Sequence, residues 1–356
     1  MKGAWELGCY PAIIRESSVR VRHMLNFAIA TRNALLIVRE GTVEQQLKGL
    51  APVSISLDEA DPTRLYVGTW ANGLWRSADS ARTWEQVGSG IPHAEITAVA
   101  VERAGDSHRG VIYVGTEPST LSRSEDGGET WHESTTLIDL PSATRWAFPP
   151  KPETHHVRWI EVDPIVQGKL YVAIEAGALV RSTDGGDTWQ DRVPGGPIDT
   201  HTAATHPSAS GRLYSAAGDG YFESDDGGDS WSRPMDGLQH RYLVGVAVDP
   251  GDPDTVVVSG AAGPYVAYRP TNAEAYVYRK SSGQPFERAM DGLPDGQGTV
   301  ASRIATHADE TGVFYAATNH GLFRSKNGGM SWKALEIAWP DGAFRYGVDA
   351  LVAFAE

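Results

Sequence analysis

The strongest constraint on this chain is an octapeptide that keeps returning. Ser124–Trp131 reads SEDGGETW, Ser182–Trp189 STDGGDTW, Ser224–Trp231 SDDGGDSW and Ser325–Trp332 SKNGGMSW. Ser77–Trp84, SADSARTW, is a worn copy without the glycines. Recurrence of this kind marks an internal repeat, and a repeat settles the architecture before local propensity does. Asp-Gly-Gly between two strand-like runs is hairpin-turn chemistry. The glycines supply positive φ, and the Asp carboxylate accepts from nearby backbone N–H groups. The Ser or Thr hydroxyl ties the turn further. The Trp is large and apolar, suited to packing between neighbouring units.

Around each copy the chain repeats one plan. A hydrophobic run ends in Asp-Pro or a close equivalent. A Tyr-rich run such as LYVGT (Leu65–Thr69) follows, then a short turn, a run ending in Arg-Ser, the octapeptide, and a last short run after the Trp. Short runs with turn punctuation, and no sustained 3.6-residue period, predict strands. Units start near Pro52, Ile96, Val157, Thr200, Leu243 and Val300. The unit from Leu243 carries a Pro- and Ala-rich insertion, Gly263–Ala275, and its octapeptide is degraded to SSGQPF. Before Pro52, LNFAIAT, ALLIVRE and TVEQQL read as three strands of a seventh unit, and VDALVAF (Val348–Phe354) supplies its missing innermost strand. The expectation is an all-β, seven-bladed β-propeller over residues 24–356, a single domain whose first blade is closed by strands from both chain ends, so that no sheet edge is left open. Residues 1–23 do not match the repeat and read as an N-terminal extension packed on the outside.

The pattern S-x-D-x-G-x-T-W resembles the Asp-box, or BNR repeat, of sialidase-like β-propellers, over residues 25–355. The resemblance implies that the box is the turn between the third and fourth strands of a blade, on the rim and away from any active site. The box Asp residues then hold turns and do no chemistry. The chain is also similar to photosystem-assembly propellers of the Ycf48 type, which work through bound protein partners.

Composition narrows the partners. A formal net charge of −14 argues against a nucleic-acid groove or an anionic membrane surface as the main partner. The single cysteine, Cys9, excludes an internal disulfide. No apolar run reaches membrane-spanning length and no apolar leader stands at the N-terminus, so a cytoplasmic location is expected.

Candidate chemistry gathers where the chain leads into the inner strands. His93 precedes Ile96, His155 and His156 precede Val157, His201 lies beside Asp199, and His240 precedes Arg241. His206 and His307 fall in the slot of the Asp-Pro ends and read as structural. When units are aligned on those ends, His201 matches Arg158 and Asp199 matches His156. Because side chains alternate along a strand, only one of His155 and His156 is expected to face the channel. Turns between second and third strands add Glu117, Glu175 and Asp219 at equivalent positions in three consecutive blades. Arg158, Arg241, Arg303, Arg345, Tyr242 and Tyr346 lie nearby. RWAFPPKPET (Arg145–Thr154) is placed to cover the mouth, with Trp146 and Phe148 as pocket walls.

Three functions fit these residues. The leading one is a metal-dependent enzyme acting on a small polar molecule, with His155, His156, His201 and His240 as ligands to Zn, Fe, Mn or Cu. Glu175 or Glu117 would be its general base, with Asp219 and Arg158 beside them. The second is a glycoside hydrolase, with the resemblance inviting a sialidase. The Arg-Ile-Pro signature of that family is missing here, and seven blades do not match its six. The third is a non-enzymatic scaffold for a protein partner.

Overall fold

A computed structural model describes residues 25–103 and 110–355. The extension read at residues 1–23 lies outside the described residues. Seven antiparallel sheets are formed, and the inner strands of successive sheets pack against one another all the way round a ring. Blade 1 has Ala350–Phe354 innermost, then Asn26–Thr31, Ala34–Arg39 and Thr42–Gln46. Its closing register pairs Ala28 with Val352 and Ile29 with Leu351. The inner strands of blades 2 to 7 are Pro52–Leu57, Ile96–Glu102, Val157–Val162, Thr200–Thr205, Tyr242–Asp249 and Arg303–Ala305. The expected unit starts therefore hold within a residue except in blade 7, where Val300–Ser302 is buried but lies outside the strand ladder, with the Val300 N–H donating to Asn319 Oδ1 at 2.8 Å and the Ala301 N–H to Ala267 O at 2.8 Å. Among the described residues no helix is long and apolar enough to cross a membrane.

The core lies between blades. Second strands such as LYVGT, VIYVGT and LYVAI are buried almost throughout, since both faces of each meet a neighbouring sheet. The octapeptide turns complete the packing on the rim. In blade 5, Asp226 Oδ1 accepts from the Ser230 N–H at 2.9 Å and the Ser224 hydroxyl at 2.8 Å, while Oδ2 accepts from the Ser230 hydroxyl at 2.6 Å. Ser224 Oγ in turn accepts from the Gly228 N–H. Gly227 and Gly228 have φ of 72° and 87°, conformations that favour glycine.

These turns also join blades. An arginine on the third strand of one blade donates to a backbone carbonyl in the octapeptide of the next: Arg123 to Gly185 at 3.1 Å, Arg181 to Gly227 at 3.0 Å and Arg279 to Gly328 at 2.9 Å. Arg39 and Arg76 reach Ser80 and Gly127 in the same way. The box tryptophan packs backwards across the same seam. Trp131 packs on the same core cluster as Val87 and Ile91 of the preceding unit, and Trp332 Nε1 donates to Ala289 O. The octapeptide is thus both a turn and an inter-blade fastener.

Candidate functional site at the channel mouth

Five inner strands carry the same irregularity. The register against the second strand skips one residue, and the skipped residues are Val53, Thr97, Arg158, His201 and Val244. A bulge re-aims the extra side chain. Val53, Thr97, Arg158 and His201 line a central cavity of about 80 Å³, together with Arg303 and Asp349. The sequence alignment of His201 with Arg158 therefore corresponds to a shared backbone feature.

The lead-in residues meet the turns of their own blade and of the preceding one. His156, almost fully buried, places Nε2 2.9 Å from Glu175 Oε2, and its Nδ1 lies 3.5 Å from Glu117 Oε2. Arg158 Nε lies 3.3 Å from the same Glu175 oxygen. Burial pushes the Glu175 carboxyl up, but the His156 bond and the Arg158 charge outweigh it and hold the group at about 2. Lys151 reaches down from the covering segment to Glu117 Oε1 at 3.0 Å, and Phe148 packs edge-on against His156 with ring centres 4.6 Å apart. The segment predicted to cover the mouth does so through these two contacts.

On the neighbouring blade, Asp199 Oδ1 accepts from the Ala176 N–H at 2.8 Å. His201 is fully buried. Its Nδ1 lies 2.6 Å from Leu243 O, a bond only an N–H can make there, so Nε2 carries the lone pair. That Nε2 faces Asp199 Oδ2 at 3.7 Å and the Tyr242 hydroxyl at 3.2 Å, and Tyr242 in turn meets Tyr268 at 3.1 Å. Burial drives the His201 pKa down, against the pull of Asp199 and Glu175, which favours the neutral ring. One donor atom each from Glu175, Asp199 and His201 lies within 4.8 Å of the other two, the single grouping among the described residues with metal-ligand spacing.

The other sequence candidates fall around this centre or away from it. His155 lies edge-on to Trp146, with ring centres 5.7 Å apart. Asp219 Oδ1 accepts from the Asp199 N–H at 3.4 Å, and burial raises its carboxyl above the ordinary value. His240 keeps different company: Nδ1 meets the Tyr278 hydroxyl at 2.6 Å and the ring packs on Tyr276. Tyr346 is half exposed. Sequence reasoning passed over Asp199 as a ligand, although its match to His156 was the available signal. Tyr268 sits in the insertion and Asp349 on the lead-in to the closing strand, neither of which carries the repeat.

The fold and the bulge-built mouth define a seven-bladed propeller with a polar site at one end of its channel. No family model and no curated protein matches the sequence. Solved structures do resemble it. A GH74 enzyme of Niastella koreensis has a TM-score of 0.67 at 18% identity, over 86% of this chain and 51% of that one. A GH74 xyloglucanase of Xanthomonas campestris has a TM-score of 0.65 at 17% identity, over 94% and 52%. Ycf48 of Cyanidioschyzon merolae has a TM-score of 0.56 at 16% identity, over 85% and 95%, and a Ycf48 bound to D1 peptide has 0.55 at 17%, over 79% and 81%. The chain spans about half the length of the GH74 enzymes it matches. At these identities the likeness is one of fold.

Proposed function

We propose that the channel mouth binds one divalent transition metal through Glu175, Asp199 and His201 and acts with it on a small polar molecule. The observation that carries this reading is the His201 tautomer. Its Nδ1–H is committed to the Leu243 carbonyl, which fixes the ring and presents the Nε2 lone pair to two carboxylates. An ion there would polarise a substrate carbonyl or lower the pKa of a water molecule. Glu117, whose Oε2 accepts no hydrogen bond, stands beside His156 as the proton acceptor. The Arg158 guanidinium holds the oxygen-bearing part of the substrate in the channel. Compared with the histidine set read from sequence, the ligand set is carboxylate-rich, which suits Mn, Fe or Zn better than Cu. Titration of Zn²⁺ and of Mn²⁺ into chelator-treated protein, followed by calorimetry, tests the reading. One site per chain that His201→Ala removes is expected. Absence of binding, or binding unchanged in the variant, would overturn it.

A metal-free glycoside hydrolase is the second reading, favoured by one observation besides the GH74 likeness of fold. Glu175 is held ionised while burial raises Asp219, so two carboxyls on adjacent blades are pushed in opposite directions. Hydrolysis of an aryl glycoside by chelator-treated protein, lost in Glu175→Gln, would select it.

A further inference from the structure

The inner strand of blade 6 holds the His201 ring at both nitrogens, with two different kinds of group. Leu243 supplies a backbone carbonyl, which accepts from Nδ1–H at 2.6 Å. Tyr242, one residue earlier, supplies its hydroxyl to Nε2 at 3.2 Å. The two rings lie 4.9 Å apart at 53°. The carbonyl is fixed by the strand ladder, in which Leu243 pairs with Gly260 and Tyr242 with Ala261. The hydroxyl is a rotor that turns about its own C–O bond. One grip on the ring is permanent, and the other can be released.

The direction of the second grip follows from the first. With Nδ1 as donor, Nε2 accepts, so the Tyr242 O–H donates to it. The Tyr242 oxygen is then the acceptor for the Tyr268 hydroxyl, 3.1 Å away. The bonds run from Tyr268 to Tyr242 to His201. Tyr268 belongs to the insertion of blade 6, which is pinned beside the mouth. The Ala301 N–H donates to Ala267 O, and the Glu274 N–H to Val266 O, both at 2.8 Å. Gly347, with φ of 88°, packs so closely on the insertion that a Cβ there would lie 3.2 Å from Tyr268 O. The tyrosine pair is held in place from behind, and its proton nearest His201 is the one free to move.

We propose that Tyr242 caps the lone pair that binds the metal and, once displaced from it, donates to the bound molecule; this rests on the reading of Glu175, Asp199 and His201 as the ligand set. The Nε2 lone pair serves one partner at a time. In the metal-free protein that partner is Tyr242, so an ion has to displace a hydrogen bond before it binds. Tyr268 goes on donating to the Tyr242 oxygen, which leaves the displaced Tyr242 O–H in need of an acceptor. Asp199 has none to spare, since Oδ1 already accepts from the Ala176 N–H and Oδ2, the oxygen that faces His201, is the one offered to the ion. The acceptor is therefore an oxygen of the bound molecule. The site selects a ligand that brings a carbonyl or a carboxylate oxygen over one that brings only donors.

Calorimetry on Tyr242→Phe tests this through two effects of opposite sign. Chelator-treated variant should bind Zn²⁺ about fivefold more tightly than the unmodified protein, because no hydrogen bond has to be displaced. The zinc-loaded variant should bind acetate about fivefold more weakly, and imidazole, which coordinates through nitrogen and offers no acceptor, within about twofold of the unmodified protein. Tyr242→Phe with Tyr268→Phe leaves no hydroxyl stranded and should behave as the single variant does, and thermal unfolding of both checks that the propeller is intact. Zinc bound by the unmodified protein, and equally or less tightly by both variants, would overturn the cap while the metal reading stands. Tighter zinc with acetate unchanged would overturn the donor role. No zinc bound by the unmodified protein would overturn the metal reading and the cap with it.

Discussion

The rim and the channel mouth hold the same kind of side chain in opposite circumstances. At the rim, Asp226 sits in solvent yet is saturated with donors. The Ser230 hydroxyl, the Ser230 N–H and the Ser224 hydroxyl lower its pKa to about 2. At the mouth, Glu117 is buried with one oxygen unbonded, and Asp199 sits within reach of both Glu175 and His201. A carboxylate that the backbone satisfies is a structural part. Partly buried carboxylates that face one another across a lone pair are costly to the fold, and such arrangements mark candidate functional sites. The comparison separates the conspicuous acids of the octapeptides from the quieter ones that form the site.

The largest expected effect that would break this contrast is at the mouth. Glu175→Ala should weaken Zn²⁺ or Mn²⁺ binding by at least about 100-fold, roughly 2.7 kcal/mol, while Asp226→Ala leaves it unchanged. Calorimetry on both variants checks the pair. Stability should respond the other way. Asp226→Ala should cost about 1–2 kcal/mol in urea unfolding, because it strips one turn of its acceptor. Milder changes sharpen the contrast further. Blade 7 already uses Asn327, whose Oδ1 accepts from the Ser331 N–H at 3.0 Å, so Asp226→Asn should cost less than about 1 kcal/mol. Asp199→Asn removes a like charge beside Glu175, and in chelator it should leave stability unchanged or raise it by up to about 1 kcal/mol. A loss of more than that would mean Asp199 is structural.

The smallest effect is in acid. The folded-state pKa of Asp226 lies below its ordinary value, so its contribution is fully present above about pH 4 and is lost as pH falls towards 2. Urea midpoints measured across that window should decline in the unmodified protein, and decline less in Asp226→Asn, which has no proton to take up.

The fold was legible because the octapeptide fixes the phase of each unit and the strand-rich segments between copies fill one blade each. Even the closing strand could be placed, since three orphan strands at one end required a fourth. The site was legible only in part. Repeat alignment placed His156, Arg158, His201, Glu117 and Glu175 on one face, and the shared bulge explains why the inner-strand pair Arg158 and His201 faces inward. It misplaced emphasis on His240, which lies two residues ahead of the repeat register and is taken up by Tyr276 and Tyr278. Tyr268 and Asp349 reach the channel region from an insertion and from the closing strand, where there is no repeat to align. The Arg303 guanidinium shows the consequence: burial first, and then the nearby Arg158 charge, lower its pKa to about 10, a pairing across three blades that no local pattern encodes.

The central claim is that the mouth, and not the rim, is built for a metal ion. Thermal unfolding of chelator-treated protein, with and without Zn²⁺ or Mn²⁺ at about 100 times its dissociation constant, tests it directly. The account expects stabilisation of about 2.7 kcal/mol in the unmodified protein and in Asp226→Asn, and none in His201→Ala. Equal stabilisation of His201→Ala, or none in the unmodified protein, would contradict it.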